Sequence, residues 1–339
     1  MPGGAMNGCV STSVLLDSRV SGERAADLEH AHRFQGLSFD PVFIVGDHRS
    51  GTTVLYQLLA STGAFSVVTA YHVICYDRIV ADHLFKQAGA ARQRLAALFA
   101  RLGVGNRVID GVPVSPDLPE EYGFIIDRSS RPRLRPGTLP AFVELCQKLR
   151  FTGGGEPILL KNPWDVLGFA YLKRSFPGAR FIFLHRHPRN VMSSQLAAMR
   201  SLFTHRNPYV AALSPWYRDV FEKPAVLRFT RMINSSRFGI GARVVGRHVT
   251  KVVRYYRENV PDLPRRDYIE LRYEDLCAQP DETLQRLMAF LNVHAVRDVK
   301  ARERVRPRPD HVLPEVARRY RKIRSSLADY CETQRYTLD

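Results

Sequence analysis

Two runs of the sequence place phosphate-binding groups directly after an apolar segment. In the first, the apolar run 41–45 leads into a loop bounded by Gly46 and Gly51, and helical periodicity begins at Val54. Backbone N–H groups at the start of a helix attract anions, and glycines let a phosphate approach the backbone closely. The loop adds a guanidinium and three hydroxyl groups, on Arg49, Ser50, Thr52 and Thr53. These features predict a phosphate-binding loop between a strand and a helix.

The chemistry of this loop differs from that of a nucleotide triphosphatase. The spacing Gly46-x-x-x-x-Gly51 matches the start of a P-loop, which continues with a Lys that reaches the terminal phosphates. This chain has Thr52 at that position, and its positive charge lies inside the loop at Arg49. We therefore interpret the loop as a phosphate site adapted to a reaction other than ATP hydrolysis. An ordinary turn with a helix cap is the alternative.

The second run pairs an arginine with a serine. The apolar segment 180–184 leads into a basic cluster, and Pro188 suits the first turn of a helix that follows. Arg186 and Ser194 lie eight residues apart, so one sits at the carboxyl end of the strand and the other about two turns into the helix. A guanidinium and a hydroxyl so placed can hold one phosphate. Because ligands of open α/β sheets bind at this edge, the two loops predict a ligand with two separated phosphates.

The elements that position these loops alternate along the chain. Apolar runs of strand length are followed by helical segments, which favours an α/β fold with a central, mainly parallel sheet. A further short strand is predicted over 65–68, and an amphipathic helix over 243–259. The apolar stripe of that helix is predicted at Val244, Val245, Val249, Val252, Val253 and Tyr256. We expect residues 1–38 to form a partly flexible N-terminal extension and residues 39–339 a single domain, with 295–339 a basic segment of helix and loop.

The net charge is unusual for a chain of 339 residues. It is +17 at neutral pH, which leaves open a nucleic-acid partner, an anionic membrane surface or a polyanionic cofactor. The sequence carries no RNA-binding signature, zinc-finger spacing or basic region leading into heptads, so no specific nucleic-acid partner is expected. Attraction of a polyanionic cofactor needs no further assumption, and a peripheral contact with a membrane stays open.

Cysteine usage and apolar runs bear on location. The five cysteines are scattered and form no C-x-x-C pair, which predicts neither a disulfide framework nor a zinc site and favours a reducing compartment. No run of 18 apolar residues occurs, and the first 15 residues lack the pattern of a signal peptide. A cytoplasmic protein without a transmembrane segment is therefore expected.

Taken in order, the motifs resemble those of sulfotransferases that use 3′-phosphoadenylyl sulfate (PAPS). The resemblance runs from residue 41 to residue 291, about three quarters of the chain. It rests on Arg49-Ser50-Gly51-Thr52-Thr53, on Arg186 with Ser194, on 157–164 with Lys161 at the end of its strand, on the acidic segment 117–122 and on 269–276. It implies a P-loop-like three-layer fold around the parallel sheet.

The resemblance also implies roles for individual residues. The loop from Arg49 to Thr53 would hold the 5′-phosphosulfate of PAPS, Arg186 and Ser194 its 3′-phosphate, and Lys161 would lie near the reacting sulfate. Tyr273 would either contact the cofactor or be a half-buried aromatic of a strand. PAPS is then the co-substrate, and no metal is expected to bridge its phosphates.

The general base is where this chain departs from the family pattern. The family places a Glu after the first helix or a His near the segment that corresponds to 161–163, and this chain has neither. We predict His72 as the base, since an imidazole with an ordinary pKa accepts a proton at neutral pH. A histidine that caps a helix is the alternative reading of His72. Glu121, with its neighbour Glu120, is the second candidate, and His48 is expected to orient phosphate or substrate.

These expectations predict transfer of a sulfuryl group from PAPS to a hydroxyl, or an amine, of a small-molecule, lipid or carbohydrate acceptor. A small-molecule kinase is one alternative, but it would need Lys at position 52 and carboxylates for magnesium. A nucleic-acid or anion-binding protein with a non-catalytic loop is the other. It would explain the charge but not the pairing of Arg186 with Ser194.

Overall fold

A sheet of five strands forms the centre of the protein. The computed structural model describes residues 26–107, 109, 111–307 and 311–338. The strands are β1 (Pro41–Val45), β2 (Ser66–Val67), β3 (Ile158–Lys161), β4 (Arg180–His185) and β5 (Tyr268–Arg272). Residues 1–25, most of the predicted N-terminal extension, lie outside the described residues.

All five strands are parallel, which confirms the predicted sheet. Their order is β2-β3-β1-β4-β5, so β1 is central and pairs with β3 on one side and β4 on the other. Because the strands share one direction, their carboxyl ends meet at one edge of the sheet. The glycine loop after β1, Lys161 at the end of β3, Arg186 after β4 and Tyr273 after β5 all lie at that edge.

Helices cover the sheet and extend beyond the carboxyl edge. The α-helices before β3 are α1 (Ala31–Phe34), α2 (Thr52–Ser61), α3 (Ala70–Ile74), α4 (Ile79–Leu84), α5 (Ala88–Arg101), α6 (Gly123–Ile126) and α7 (Leu139–Thr152). Those between β3 and β5 are α8 (Phe169–Ser175), α9 (Pro188–Thr204), α10 (Pro208–Leu213), α11 (Pro215–Glu222), α12 (Pro224–Asn234) and α13 (Ile240–Asn259). After β5 follow α14 (Tyr273–Ala278), α15 (Pro280–Leu291), α16 (Ala301–Arg304), α17 (Pro314–Ile323) and α18 (Ala328–Thr333).

The three inner strands, β3, β1 and β4, are buried on both faces, which explains their largely apolar sequences. Val42 and Ile44 point to one face, where they pack in a cluster with apolar residues of α2 and α15. Phe43 points to the other face, where its ring lies 6.0 Å from that of Phe142 in α7. A helical layer therefore covers each face of the sheet, which confirms the predicted three-layer α/β arrangement.

A third apolar cluster fastens the C-terminal segment to the rest of the protein. Side chains of α17 and α18 pack against those of α9 and α13. His185, at the end of β4, hydrogen-bonds the Tyr330 hydroxyl at 3.0 Å, and His187 bonds the Thr337 carbonyl at 2.9 Å. The segment is thus anchored next to the second predicted phosphate loop. Within the described ranges, no helix is both long and apolar enough to cross a bilayer.

Candidate active site

The loop between β1 and α2 has the backbone geometry of an anion site. Arg49 and Gly51 both adopt positive φ values, 70° and 101°, a conformation that lets successive backbone N–H groups converge on an anion. The Ser50 hydroxyl donates to the carbonyl of Asp47 at 2.8 Å and holds the turn closed. Gly51 occupies the N-cap position just before α2, and among the described residues no side chain caps the helix there. The positive end of this helix is therefore suited to a bound phosphate.

The Tyr273 ring packs against both predicted phosphate loops. A Cβ atom at Gly51 would overlap the Tyr273 ring, so only glycine allows this close approach. The guanidinium carbon of Arg186 lies 4.6 Å from the centroid of the same ring, within reach of a cation–π interaction. Tyr273 is buried and begins α14. The alternative of a half-buried strand aromatic is therefore wrong.

The structure brings the two predicted phosphate loops into direct contact. Arg49 Nε donates to the Ser194 hydroxyl at 3.1 Å, and Arg186 Nη1 donates to the carbonyl of Arg49 at 3.1 Å. Arg49, expected at one phosphate group, thus touches Ser194, expected at the other. The two guanidinium groups and the start of α2 form one strongly positive region at the carboxyl edge of the sheet.

Lys161 links this region to the acidic segment. Its side chain is only 1% exposed, and its ammonium group lies 2.9 Å from a carboxylate oxygen of Glu121. The same ammonium donates to the Thr53 hydroxyl, at 3.2 Å, on the first turn of α2. Burial pushes the pKa of Glu121 up, but Lys161 and then His48 outweigh burial and hold it below its usual value. Glu121 is therefore ionised at neutral pH and forms a direct ion pair with Lys161.

His48 lies beside this ion pair, and its ring has an unused nitrogen. Among the described residues, the buried Nε2 atom has no hydrogen-bond partner. The ring lies edge-on to Trp164 with centroids 4.3 Å apart, and Gln195 donates to the His48 carbonyl at 3.0 Å. Burial lowers the pKa of His48, and this effect exceeds the opposing influence of Glu121 and Asp47. The imidazole is therefore neutral at pH 7 and able to accept a proton.

His72 occupies a different environment from the one expected of a base. Its Nδ1 accepts the backbone N–H of Thr69 at 3.0 Å, in a reciprocal cap at the start of α3. Because Nδ1 is an acceptor, the neutral ring carries its proton on Nε2 and has no free lone pair. Burial lowers the pKa of His72 to about 3. The geometry thus matches the helix-capping alternative and argues against His72 as the base.

Glu120 and Glu121 are neighbours with separate surroundings. Glu120 pairs with Arg107 at 3.2 Å and accepts the hydroxyl of Tyr209 at 2.6 Å. Burial raises its pKa, and Arg107 and Tyr209 offset this only in part. Glu120 therefore ties the acidic segment to α10, whereas Glu121 points its carboxylate at Lys161.

Sequence reasoning missed an ion pair that links the phosphate loop to α13. His248 Nε2, on α13, lies 2.9 Å from Asp47 Oδ1, which also accepts the backbone N–H of His48 at 2.7 Å. Burial lowers the pKa of His248, but the hydrogen bond to Asp47 and the charge of that carboxylate together outweigh burial and raise it overall. No local signal connects these residues, since 201 positions separate them. Asp47 thereby joins the phosphate loop to α13.

A buried network also fixes the turn after β3. Asn162 donates to the Pro132 carbonyl at 2.8 Å and to Asp165 at 2.7 Å. Asp165 accepts the backbone N–H of Leu134 at 2.8 Å and the hydroxyl of Tyr122. Burial raises the pKa of Asp165 to about 6. The network joins the turn to the residue after Glu121, and so supports the ion pair of Glu121 with Lys161.

The sequence itself matches the profile of a known family. The sequence profile of the sulfotransferase family matches residues 41–223, more than half of the chain, and the chain belongs to that family. The predicted family membership is thereby confirmed. The matched region contains both phosphate loops, Lys161 and Glu121.

Among characterised relatives, the chain is similar to omega-hydroxy-beta-dihydromenaquinone-9 sulfotransferase Stf3 of Mycobacterium tuberculosis. The two are 23% identical over 278 residues, which cover 75% of this chain and 63% of the relative. Human carbohydrate sulfotransferase 2 is 24% identical over 224 residues, 62% of this chain and 40% of the relative. The chain thus spans less than two thirds of the length of each of these relatives.

Solved structures of sulfotransferases share the fold. STF9 from Mycobacterium avium superposes with a TM-score of 0.63 at 15% identity, over 95% of this chain and 83% of that chain. STF1 from Mycobacterium tuberculosis H37Rv gives a TM-score of 0.52 at 16% identity, over 83% of this chain and 74% of that chain. At these identities the likeness bears on the fold alone.

Proposed function

We propose that this protein transfers the sulfuryl group of PAPS to a hydroxyl group of an acceptor. One observation carries the proposal: Arg49, Lys161 and Arg186 converge on the N-terminal end of α2, next to Glu121 and His48. The first three groups suit a polyanion, and the last two suit proton transfer. Membership in the sulfotransferase family supports the same reaction.

The residues at the edge of the sheet fit PAPS as co-substrate. The loop from Arg49 to Thr53 and the start of α2 offer backbone N–H groups and hydroxyls to the phosphosulfate. Arg186 and Ser194 offer a guanidinium and a hydroxyl to the 3′-phosphate. Tyr273, which touches both Gly51 and Arg186, keeps the two binding groups in a fixed relation. ATP lacks a 3′-phosphate and would leave the second group without a ligand.

Lys161 and Arg49 are proposed to stabilise the charge that develops during transfer. When bound, PAPS supplies a sulfuryl group attached to a phosphate oxygen. Cations held in a buried site need little reorganisation, which makes them effective against developing negative charge. Lys161 is held by Glu121 at 2.9 Å and Thr53 at 3.2 Å. Both contacts keep its ammonium group at the phosphate loop.

We assign the general base to His48 rather than to His72. The pKa of His48 is lowered by burial, so the ring is neutral at pH 7, and its buried Nε2 has no partner among the described residues. Glu121, ionised and adjacent, would stabilise the imidazolium that forms. His72 keeps its helix cap, and Glu121 acts through Lys161 and His48 rather than directly on the acceptor.

The acceptor is proposed at the level of its reacting group, a hydroxyl of a small molecule, lipid or carbohydrate. Similar proteins carry the names of a menaquinone sulfotransferase and a carbohydrate sulfotransferase, so both apolar and polar alcohols are reasonable. The cytoplasmic location and the independence from metal stay predictions.

Transfer of labelled sulfate tests the proposal. The protein is incubated with [³⁵S]PAPS and a panel of sugars, phenols and long-chain alcohols, and both labelled product and PAP (adenosine 3′,5′-bisphosphate) are measured. We expect one class of acceptor to take up label in equal amount to the PAP released. Label recovered only as inorganic sulfate across a broad panel, or transfer of phosphate from ATP with magnesium, would contradict the proposal.

A further inference from the structure

Exposed apolar side chains are concentrated in one stretch of the chain, on helices α12 and α13 and the loop between them. Of the nine large apolar side chains exposed in the described ranges, five lie between positions 226 and 244. They are Val226, Phe229, Met232, Phe238 and Val244, each between 42% and 59% exposed. Single exposed apolar residues are ordinary on a protein surface, whereas a cluster marks an interaction surface. We call α12, Phe238 and the exposed face of α13 the α12–α13 surface.

Helix α12 is amphipathic in a way that leaves its apolar stripe outside. The helix has no buried residue. At 100° per residue, one side faces the protein and carries four half-buried residues: Leu227, Thr230, Ile233 and Asn234. The adjoining exposed stripe consists of Val226, Phe229 and Met232, and the next consists of Arg228 and Arg231. A helix that only covered the core would point its apolar stripe inward.

The same segment is strongly basic. Residues 223–257 contain nine Lys and Arg and no Asp or Glu. Four exposed basic residues of α13 are spaced three or four apart and so share one face: Arg243, Arg247, Lys251 and Arg254. A fifth, Arg257, pairs with Asp329 at 2.7 Å. Of the acidic residues that border the segment, Glu222 lies 3.9 Å from Arg206, outside it, and Glu258 lies 3.9 Å from Arg254 and offsets that one residue. The positive charge of the surface is therefore left largely uncompensated by this segment.

We propose that the α12–α13 surface docks on an anionic lipid bilayer. Exposed aliphatic and aromatic side chains enter the boundary between headgroups and acyl chains, and Arg and Lys beside them bind lipid phosphates. A nucleic acid would bind the arginines, but its bases stack on aromatic rings, which Val226 and Met232 do not provide. A second copy of the chain would bring like charges together at a symmetric interface. The lipid surface satisfies both the apolar stripe and the charge.

Docking does not depend on the proposed function, so it is tested without PAPS. Purified protein is sedimented with vesicles of phosphatidylcholine alone, or of phosphatidylcholine and phosphatidylglycerol in equal parts. We expect binding to the anionic vesicles only, weakened by added salt. The variant F229S/M232S should lose binding by at least tenfold, and R228E by about tenfold. The matched controls are Phe85→Ser and Arg266→Glu, at two positions outside the α12–α13 surface. The Phe85 residue is 63% exposed, and the Arg266 side chain is 88% exposed. Both controls should bind as wild type.

Several outcomes would overturn the proposal. These are equal binding to both vesicle types, no sedimentation of wild type, or unchanged binding by F229S/M232S with circular dichroism like that of wild type. Loss of binding by F85S to the same degree would show that replacing any exposed apolar side chain by Ser weakens binding, wherever it lies. A dimer in analytical ultracentrifugation that F229S/M232S disrupts would assign the surface to a second copy. Displacement from vesicles by single-stranded RNA at equal phosphate concentration would assign it to nucleic acid.

Discussion

Replacing Lys161 by Met should destabilise the protein strongly, because the change strands a buried carboxylate. Lys161 is 1% exposed and Glu121 has a side chain 11% exposed, with their charged atoms 2.9 Å apart. Removing one partner of a buried ion pair costs about 3–5 kcal/mol. Since whole domains are stable by about 5–15 kcal/mol, this loss is a large share of the total. Urea titration followed by circular dichroism measures it.

A second substitution separates the ion pair from the rest of the site. In K161M/E121Q neither position of the pair carries an unpaired buried charge, so most of the lost free energy of unfolding should return. Sulfuryl transfer should stay about 10²–10³-fold below wild type in the double variant, because the cation at the phosphate loop is still missing. Recovery of stability without recovery of turnover is therefore the expected pattern.

The pH dependence gives an independent check on the same pair. The pKa of Glu121 is held below its usual 4.5, so the pair adds stability above that pH and loses it as the pH falls through the lowered value. In K161M, burial is no longer opposed by Lys161, and the pKa of Glu121 should rise above 4.5. The penalty of K161M should then shrink as the pH is lowered from 8 to 5.

A matched control is available in Lys148, a buried lysine of α7 that pairs with Asp27 at 3.0 Å and Glu144 at 2.9 Å. Lys148→Met should also lower stability, but the folded protein should keep its affinity for PAP. The reasoning would be refuted if K161M lost less than about 1 kcal/mol, or if K161M/E121Q were no more stable than K161M.

Three further predictions concern the phosphate loops and the base. His48→Leu should lower turnover by about 10²–10⁴-fold at unchanged PAP affinity. His72→Leu should instead cost about 1–3 kcal/mol of stability, because the Thr69 N–H loses its acceptor, and should spare turnover in the folded enzyme. If kinetics and urea titration gave the opposite pattern, His72 would be restored as the base. Because burial lowers the pKa of His48 from 6.5, the base stays unprotonated as the pH falls through 6.5, so turnover should decline only below it; a pH–rate profile that already halves above 6.5 would disagree. Arg186→Ala should weaken PAP by about tenfold or more and leave AMP unchanged in calorimetry, and an equal loss for both would remove Arg186 from the 3′-phosphate.

The phosphate loops could be predicted because their signals are local. Glycines at 46 and 51, with Ser50 between them and two threonines directly after, define a strand-loop-helix unit over a short stretch of sequence. The spacing of Arg186 and Ser194 is converted into distance by the geometry of a single helix. The parallel sheet followed from the alternation of elements, which restricts the topology to few choices. Each of these inferences needs only neighbouring residues.

The long-range contacts around the proposed base could not be predicted in the same way. The contact of Asp47 with His248, and that of Lys161 with Glu121, depend on how distant elements pack at the edge of the sheet. For His72 a local signal was present: Thr69 three residues before it is the spacing of a reciprocal helix cap. The apolar stripe predicted for the helix over 243–259 was wrong at one position, since Val244 is 50% exposed whereas Val249, Val252 and Val253 are buried. Its neighbour Val245 is buried.

Calorimetric titration with PAP, with ATP as the control, tests the central claim most directly, since it needs no knowledge of the acceptor. If Arg49, Lys161 and Arg186 form a site for the two phosphates of PAPS, PAP should bind in the micromolar range or tighter. ATP should then bind at least tenfold more weakly, with or without magnesium. Equal affinity for ATP, or no heat with PAP, would contradict the account.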